Sequence, residues 1–166
     1  MDRLAFDIAH LLAGGLVLVS FMMLYQDRLY ALLNIFAVHA LVLAAAVGWQ
    51  AHIQDAPHLY VTAGIAFVFK GLVIPVALHR MIQRLGIHRE IETVIGVGPT
   101  MLAGMGLVAL SIAVMLQVTE GADPIAREDL AFALAVVLLG LLMMVTRRNA
   151  VSQVVGFMSL ENGLVL

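Results

Sequence analysis

Long apolar runs, rich in Leu, Ala and Met, occupy most of this sequence and are separated by short polar turns. A helix needs about 20 mostly apolar residues to cross the roughly 30 Å hydrocarbon core of a bilayer. A transmembrane β-strand would instead alternate apolar and polar residues, which these continuous runs do not. The pattern therefore predicts an all-α, polytopic transmembrane helical bundle with at least six spans, at residues 5–24, 29–49, 58–78, 99–118, 130–146 and 149–166.

The composition agrees with a membrane protein and excludes several classes of function. Of 166 residues, 63% are hydrophobic and only 12% are charged, whereas soluble domains are roughly 45–50% apolar and about 25% charged. The net charge of −2 provides no basic face, so we expect no nucleic-acid partner. The absence of cysteine excludes disulfides, cysteine-ligated clusters and cysteine nucleophiles within this chain.

Arginine placement predicts the orientation. The turns after the first, third and fifth runs contain six arginines, against Arg3 and Arg127 on the other side. Because positively charged loops stay in the cytoplasm, we expect the N-terminus outside a bacterial or archaeal cell membrane.

The chain divides by pattern into three parts. Residues 1–80 form a first three-helix unit, residues 81–98 a cytoplasmic linker, and residues 99–166 the fourth to sixth helices. The linker is expected to be either a short interfacial helix or a plain linker helix. Since the last run is still apolar at Leu166, we expect the natural protein to continue beyond it.

Two charged residues lie inside apolar runs instead of in turns. Lys70 and Glu161 are each about twelve residues into a run, about 18 Å from its entry interface and near the bilayer middle. A charge there costs roughly 2.5–3.5 kcal/mol on insertion scales. We therefore expect both side chains to face the bundle interior, either in a structural ion pair or in a proton or ion path.

His39 lies at a similar depth in the second run. Its imidazole suits proton transfer near neutral pH, so we predict either a third station of the path or a satisfied core residue. Pro75 follows Lys70 by five residues and removes a helical partner of the Gly71 carbonyl, which predicts a kink. Three further polar residues are candidates for a supporting role: Asn162, Asp7 and His10.

A specific motif occupies the last part of the chain. The letters VTRRN at 145–149 are followed by GFMSLENG at 156–163. This motif resembles the hydrogenase-4 and formate hydrogenlyase component E family. That family is related to the K subunit of respiratory complex I and to the C subunit of multisubunit Na⁺/H⁺ antiporters. In the K-subunit pattern the buried carboxylate falls where this chain has Met158. Glu161 lies about one helical turn further along the same face, and Asn162 stays in register.

The first half is similar to a weaker copy of the same pattern. Arg28 matches the turn at Arg148, and Lys70 falls at the position of a second buried carboxylate in the third helix of the K subunit. The resemblance therefore implies two tandem K-subunit-like repeats, of which the second is incomplete within this sequence.

The resemblance also implies a function. It points to a non-catalytic membrane subunit of an energy-converting, membrane-bound hydrogenase complex, with Lys70, Glu161 and His39 as stations of a proton or Na⁺ path. The partners it implies are the lipid bilayer, antiporter-like membrane subunits and a soluble hydrogenase arm. Nickel–iron and iron–sulfur centres are expected in those partner subunits and not in this chain.

Three alternatives remain open from the sequence. The chain resembles a subunit of a multisubunit cation/proton antiporter as well. A haem-b membrane anchor would use His10 and His39 as axial ligands from adjacent helices. A stand-alone secondary transporter is the third alternative, since internal repeats and broken helices occur in that class.

Overall fold

The computed structural model describes residues 2–86, 90–121 and 124–166, and this part of the chain is helical with no β-strand. The all-α class predicted from the sequence is confirmed. The helices are α1 (Asp2–Tyr25), α2 (Leu29–Ile53), α3 (Pro57–Ile65), a π-helical segment (Ala66–Val73), α4 (Ile74–Leu85), α5 (Val97–Val118), α6 (Pro124–Thr146) and α7 (Ala150–Val165).

Five helical stretches in the described residues are long and apolar enough to cross a membrane: Leu4–Tyr25, Leu29–Ile53, Pro57–Leu85, Val97–Val118 and Ala126–Thr146. The third joins α3, the π-helical segment and α4 into one continuous span. The sixth predicted run corresponds to α7, whose 16 residues extend about 24 Å.

The core of the bundle lies between α1, α2, α6 and α7. α2 packs against α1 and α7, and α6 packs against α1 and α7. Fully buried side chains at their contacts include Leu16, Phe36, Leu43, Leu139 and Val155. α5 packs only on α6 and α1 among the substantial helix contacts, so most of its apolar surface faces away from the bundle.

Glycines bring α6 and α7 into backbone contact. A Cβ atom at Gly140 would lie 2.6 Å from the backbone nitrogen of Leu160, and one at Gly163 would lie 2.8 Å from the backbone nitrogen of Val137. Small residues permit this close approach of membrane helices. The two contacts fix the position of α7, which includes Glu161 and Asn162, against α6.

An extended strap at residues 90–94 connects the two turns at the predicted cytoplasmic end. The Ile91 N–H donates to the Asp27 carbonyl at 2.7 Å, and the Val94 N–H donates to the Thr146 carbonyl at 2.8 Å. The Arg148 N–H donates to the Glu92 carbonyl at 3.0 Å. The strap therefore ties the α1–α2 turn to the α6–α7 turn.

The strap corrects the expectation of a linker helix within residues 81–98. α4 continues through Leu85 and ends at Gly86, whose positive φ of 60° suits a helix C-terminus. Residues 90–96 are non-helical, because their backbone groups bond to the two turns and Ile91 is buried below them. Residues 87–89, which include the predicted cytoplasmic Arg89, lie outside the described part.

Arg147 lies in the turn between the fifth and sixth predicted runs, and the structure shows that it is buried. Its side chain is 2% exposed. Its Nη2 group donates to the Leu24 carbonyl at 2.6 Å and faces the Met23 carbonyl at 3.4 Å. A cation bound to the last carbonyls of a helix satisfies unpaired acceptors and complements the helix dipole. Burial lowers the pKa of Arg147, while the nearby Asp27 carboxylate raises it.

Candidate functional site

The two charged residues predicted at the membrane midplane contact each other. The Lys70 Nζ atom lies 3.3 Å from Glu161 Oε2 and donates a hydrogen bond to Asn162 Oδ1 at 2.9 Å. The Lys70 side chain is 13% exposed and the Glu161 side chain 44% exposed. Because Glu161 and Asn162 are neighbours on α7, a single turn of that helix supplies both partners of the ammonium group.

Lys70 lies within the π-helical segment of the third span. The N–H of Ile74 donates to the carbonyl of Phe69, five residues earlier, and Pro75 follows without an N–H to donate. The break predicted near Pro75 therefore takes the form of a π-helical segment. Such segments are rare and are frequently found at functional sites.

A buried hydrogen-bond chain continues from Asn162 into the bundle. Asn162 Nδ2 lies 3.0 Å from His39 Nδ1, and His39 Nε2 lies 3.0 Å from Ser20 Oγ. The Ser20 hydroxyl donates to the Leu16 carbonyl at 2.8 Å. His39 and Asn162 are 0% exposed and Ser20 is 3% exposed. We call Lys70, Glu161, Asn162, His39 and Ser20 the polar network.

The polar network joins helices from both halves of the chain. α1 supplies Ser20, α2 supplies His39, the π-helical segment supplies Lys70, and α7 supplies Glu161 and Asn162. The sequence predicted four of these five residues as site candidates. It did not indicate Ser20, because a single serine in an apolar helix commonly bonds to its own backbone, as Ser20 also does.

The other sequence candidates lie elsewhere. His10 Nε2 is 2.7 Å from Glu128 Oε2, and His10 Nδ1 is 3.0 Å from Asp129 Oδ1, although the second contact lacks hydrogen-bond geometry. This cluster links α1 to the first turns of α6. Asp7 is exposed on α1. Neither Asp7 nor His10 is among the hydrogen-bond partners of the polar network in the described residues.

The two imidazoles proposed as haem ligands both face protein side chains. His10 faces two carboxylates of α6. His39 faces Asn162 at one nitrogen and Ser20 at the other. Axial ligation of haem requires a ring nitrogen that faces the iron, whereas both ring nitrogens of His39 face polar side chains of the protein.

Comparison with known proteins identifies relatives that are longer than this chain. No family model and no solved structure matches it. Over 154 residues it is 31% identical to "Uncharacterized protein Rv0085" of Mycobacterium tuberculosis, which covers 92% of this chain and 70% of the relative. Over 160 residues it is 29% identical to hydrogenase-4 component E of Escherichia coli K12, covering 94% of this chain and 72% of the relative. Hydrogenase-4 component E of Shigella flexneri gives the same values. The chain therefore belongs to the family of the Mycobacterium tuberculosis protein Rv0085 and is a distant homologue of hydrogenase-4 component E.

Proposed function

We propose that this chain is a non-catalytic membrane subunit of a hydrogenase-like, energy-converting complex, and that Lys70 and Glu161 take part in proton or Na⁺ translocation through it. The distant homology to hydrogenase-4 component E and the five membrane-length spans support the first part. The observation that supports the second part most strongly is the contact between the charged side chains of Lys70, within the third span, and Glu161, on α7.

The chemistry of this pair suits a coupled ion step. Within a membrane an unpaired charge is costly, so the charge of each partner stabilises the charge of the other. A proton or cation that neutralises Glu161 removes the counter-charge of Lys70. A change of charge at one group therefore changes the electrostatic environment of the other.

The two side chains of the pair differ in their exposure. Lys70 is mostly enclosed, whereas Glu161 is 44% exposed at the surface of the bundle. An ionisable group on a surface within the membrane needs a polar neighbour or water. We propose that this neighbour is an antiporter-like membrane subunit, and that a soluble hydrogenase arm with nickel–iron and iron–sulfur centres drives the complex.

The alternatives predict different partners and different chemistry. A subunit of a multisubunit cation/proton antiporter would use the same Lys70–Glu161 pair without a hydrogenase arm. A structural ion pair would stabilise the bundle without transport. The haem-b alternative has less support, because both ring nitrogens of His39 contact polar side chains and His10 Nε2 contacts Glu128.

Purification of the tagged full chain from native membranes tests this proposal. We expect the large subunit of a nickel–iron hydrogenase and two antiporter-like subunits to co-purify. Antiporter subunits without any hydrogenase subunit would support the antiporter alternative instead. Purification of the chain alone, with ion transport after reconstitution in liposomes, would overturn the complex-subunit proposal.

A further inference from the structure

The polar network has a fixed direction of hydrogen-bond donation. A charged Lys70 ammonium only donates, so the atom of Asn162 that faces it at 2.9 Å is the carbonyl oxygen. The amide nitrogen of Asn162 therefore faces His39 Nδ1 at 3.0 Å. Because an amide NH₂ group only donates, Nδ1 has no hydrogen and accepts this bond.

The other end of the network imposes the same direction. The Leu16 carbonyl only accepts, and it receives the Ser20 hydroxyl at 2.8 Å. The Ser20 oxygen is then available to accept a hydrogen bond from His39 Nε2 at 3.0 Å. The ring hydrogen of His39 consequently lies on Nε2, and each of the four hydrogen bonds from Lys70 to Leu16 joins one donor to one acceptor.

We propose that Ser20 and His39 are positioning residues that hold the Asn162 carbonyl oxygen on Lys70, with His39 as the neutral tautomer whose hydrogen is on Nε2. The link to translocation rests on the proposed function of the Lys70–Glu161 pair, whereas the hydrogen-bond chain itself does not. A carboxamide does not exchange protons as imidazole does, and Asn162 lies between His39 and the Lys70–Glu161 pair. His39 thereby has a different role from the third station predicted from the sequence.

Loss of the Ser20 hydroxyl is expected to change the direction of hydrogen-bond donation in the polar network. In Ser20→Ala the Nε2–H group of His39, which is 0% exposed, has no acceptor at that position. A buried polar group without a partner is unfavourable, so the ring hydrogen moves to Nδ1 or the ring turns. In either case Asn162 Nδ2 loses its acceptor, the carboxamide reorients, and Lys70 loses the bond to Oδ1.

Nitrogen NMR of the full chain in lipid bilayers tests the tautomer directly. Val38–His39 is the only Val–His pair in the sequence, so carbonyl-carbon labelling of valine identifies the backbone nitrogen of His39 among the six histidines. Carbon and nitrogen labelling of histidine then connects that backbone nitrogen to the ring nitrogens of the same residue. We expect the signals of an unprotonated Nδ1 and a protonated Nε2 at neutral pH. A proton on Nδ1 in the wild-type chain would overturn the proposal, whether or not any variant folds.

Variants at Ser20 test the positioning role. Ser20→Ala is expected to move the ring hydrogen of His39, and Ser20→Thr, which keeps a hydroxyl, is expected to restore the wild-type spectrum. The matched control is Ser111→Ala, since Ser111 is also fully buried but its hydroxyl donates to Val108 on its own helix. An unchanged His39 spectrum in Ser20→Ala would show that Ser20 does not set the tautomer.

The same variants in the intact complex give a functional readout. Ser20→Ala is expected to slow ion translocation by roughly five- to tenfold and to shift its pH profile, because one bond to Lys70 is lost. Ser20→Thr and Ser111→Ala should match the wild type. An unshifted profile in Ser20→Ala would contradict the positioning role.

The two measurements separate the failure of this inference from that of the proposed function. The predicted spectrum in a complex that translocates no ion would refute translocation and leave the hydrogen-bond chain intact. Normal translocation with a hydrogen on His39 Nδ1 would refute only the proposed positioning role of Ser20 and His39.

Discussion

The Lys70 ammonium and the Glu161 carboxylate lie 3.3 Å apart, although they belong to the two different halves predicted from the sequence. Lys70 is in the third span of the first unit, and Glu161 is in the last helix of the second. Their contact therefore depends on how the halves pack: α1 and α2 of the first half contact α6 and α7 of the second, and the strap at residues 90–94 joins the α1–α2 turn to the α6–α7 turn.

The close packing of α6 and α7 predicts a strong effect of a single methyl group. Gly163→Ala places a Cβ atom 2.8 Å from the Val137 backbone nitrogen, and overpacking of this kind costs about 1–3 kcal/mol. We expect a lower thermal unfolding temperature in mild detergent and less Lys70–Glu161 contact. Gly106→Ala is the matched control, because a Cβ atom there meets nothing within 4 Å. Equal unfolding temperatures for the two variants would refute the backbone contact.

Arg147 predicts a difference between two adjacent arginines. Arg147→Met removes the donor to the Leu24 carbonyl, a buried charged bond of a kind worth about 1.5–3 kcal/mol. The neighbouring Arg148 is exposed, and Arg148→Met should change stability by less than about 0.5 kcal/mol. Thermal unfolding of the two variants measures the difference. Comparable destabilisation by both would indicate that Arg147 acts through the charge of the turn and not through α1.

The side-chain partners of the histidines predict an absorption spectrum. Because His10 faces Glu128 and Asp129, and His39 faces Asn162 and Ser20, we expect the purified full chain to show no Soret band. The measurement uses chain expressed with an ample supply of haem. A Soret band with split α and β peaks that is lost in His39→Gln would revive the haem-anchor alternative.

Much of the architecture could be predicted from the sequence, because the bilayer restricts what an apolar run can form. The helical class follows from run length and continuity, and Lys70 and Glu161 stand out because a charge at the bilayer middle is costly. Their mutual contact could not be predicted, since periodicity describes one helix and not the rotation of two helices about each other.

Two features of the structure had no usable signal in the sequence. Ser20 lies in an apolar helix where a hydroxyl bonded to its own backbone looks the same as one that also accepts from His39. Arg147 has the same local sequence context as the exposed Arg148, and only the packing of the α1 C-terminus against the turn distinguishes them. Both depend on tertiary contacts between distant parts of the chain.

Redox-driven ion uptake by everted membrane vesicles tests the central claim, that the Lys70–Glu161 pair takes part in translocation. The variants are Lys70→Met and Glu161→Gln, which remove one charge each with little change of side-chain size. Glu120→Gln is the matched control, because Glu120 is an exposed carboxylate in a turn. The amount of assembled complex is measured in the same vesicles, so that transport is compared at equal assembly.

We expect Lys70→Met and Glu161→Gln to assemble like the wild type, while their ion uptake per redox turnover falls by about tenfold or more. Ion uptake in Glu120→Gln should equal that of the wild type. Loss of assembly in both variants would support a structural ion pair instead. Wild-type ion uptake in Lys70→Met and Glu161→Gln would contradict the central claim.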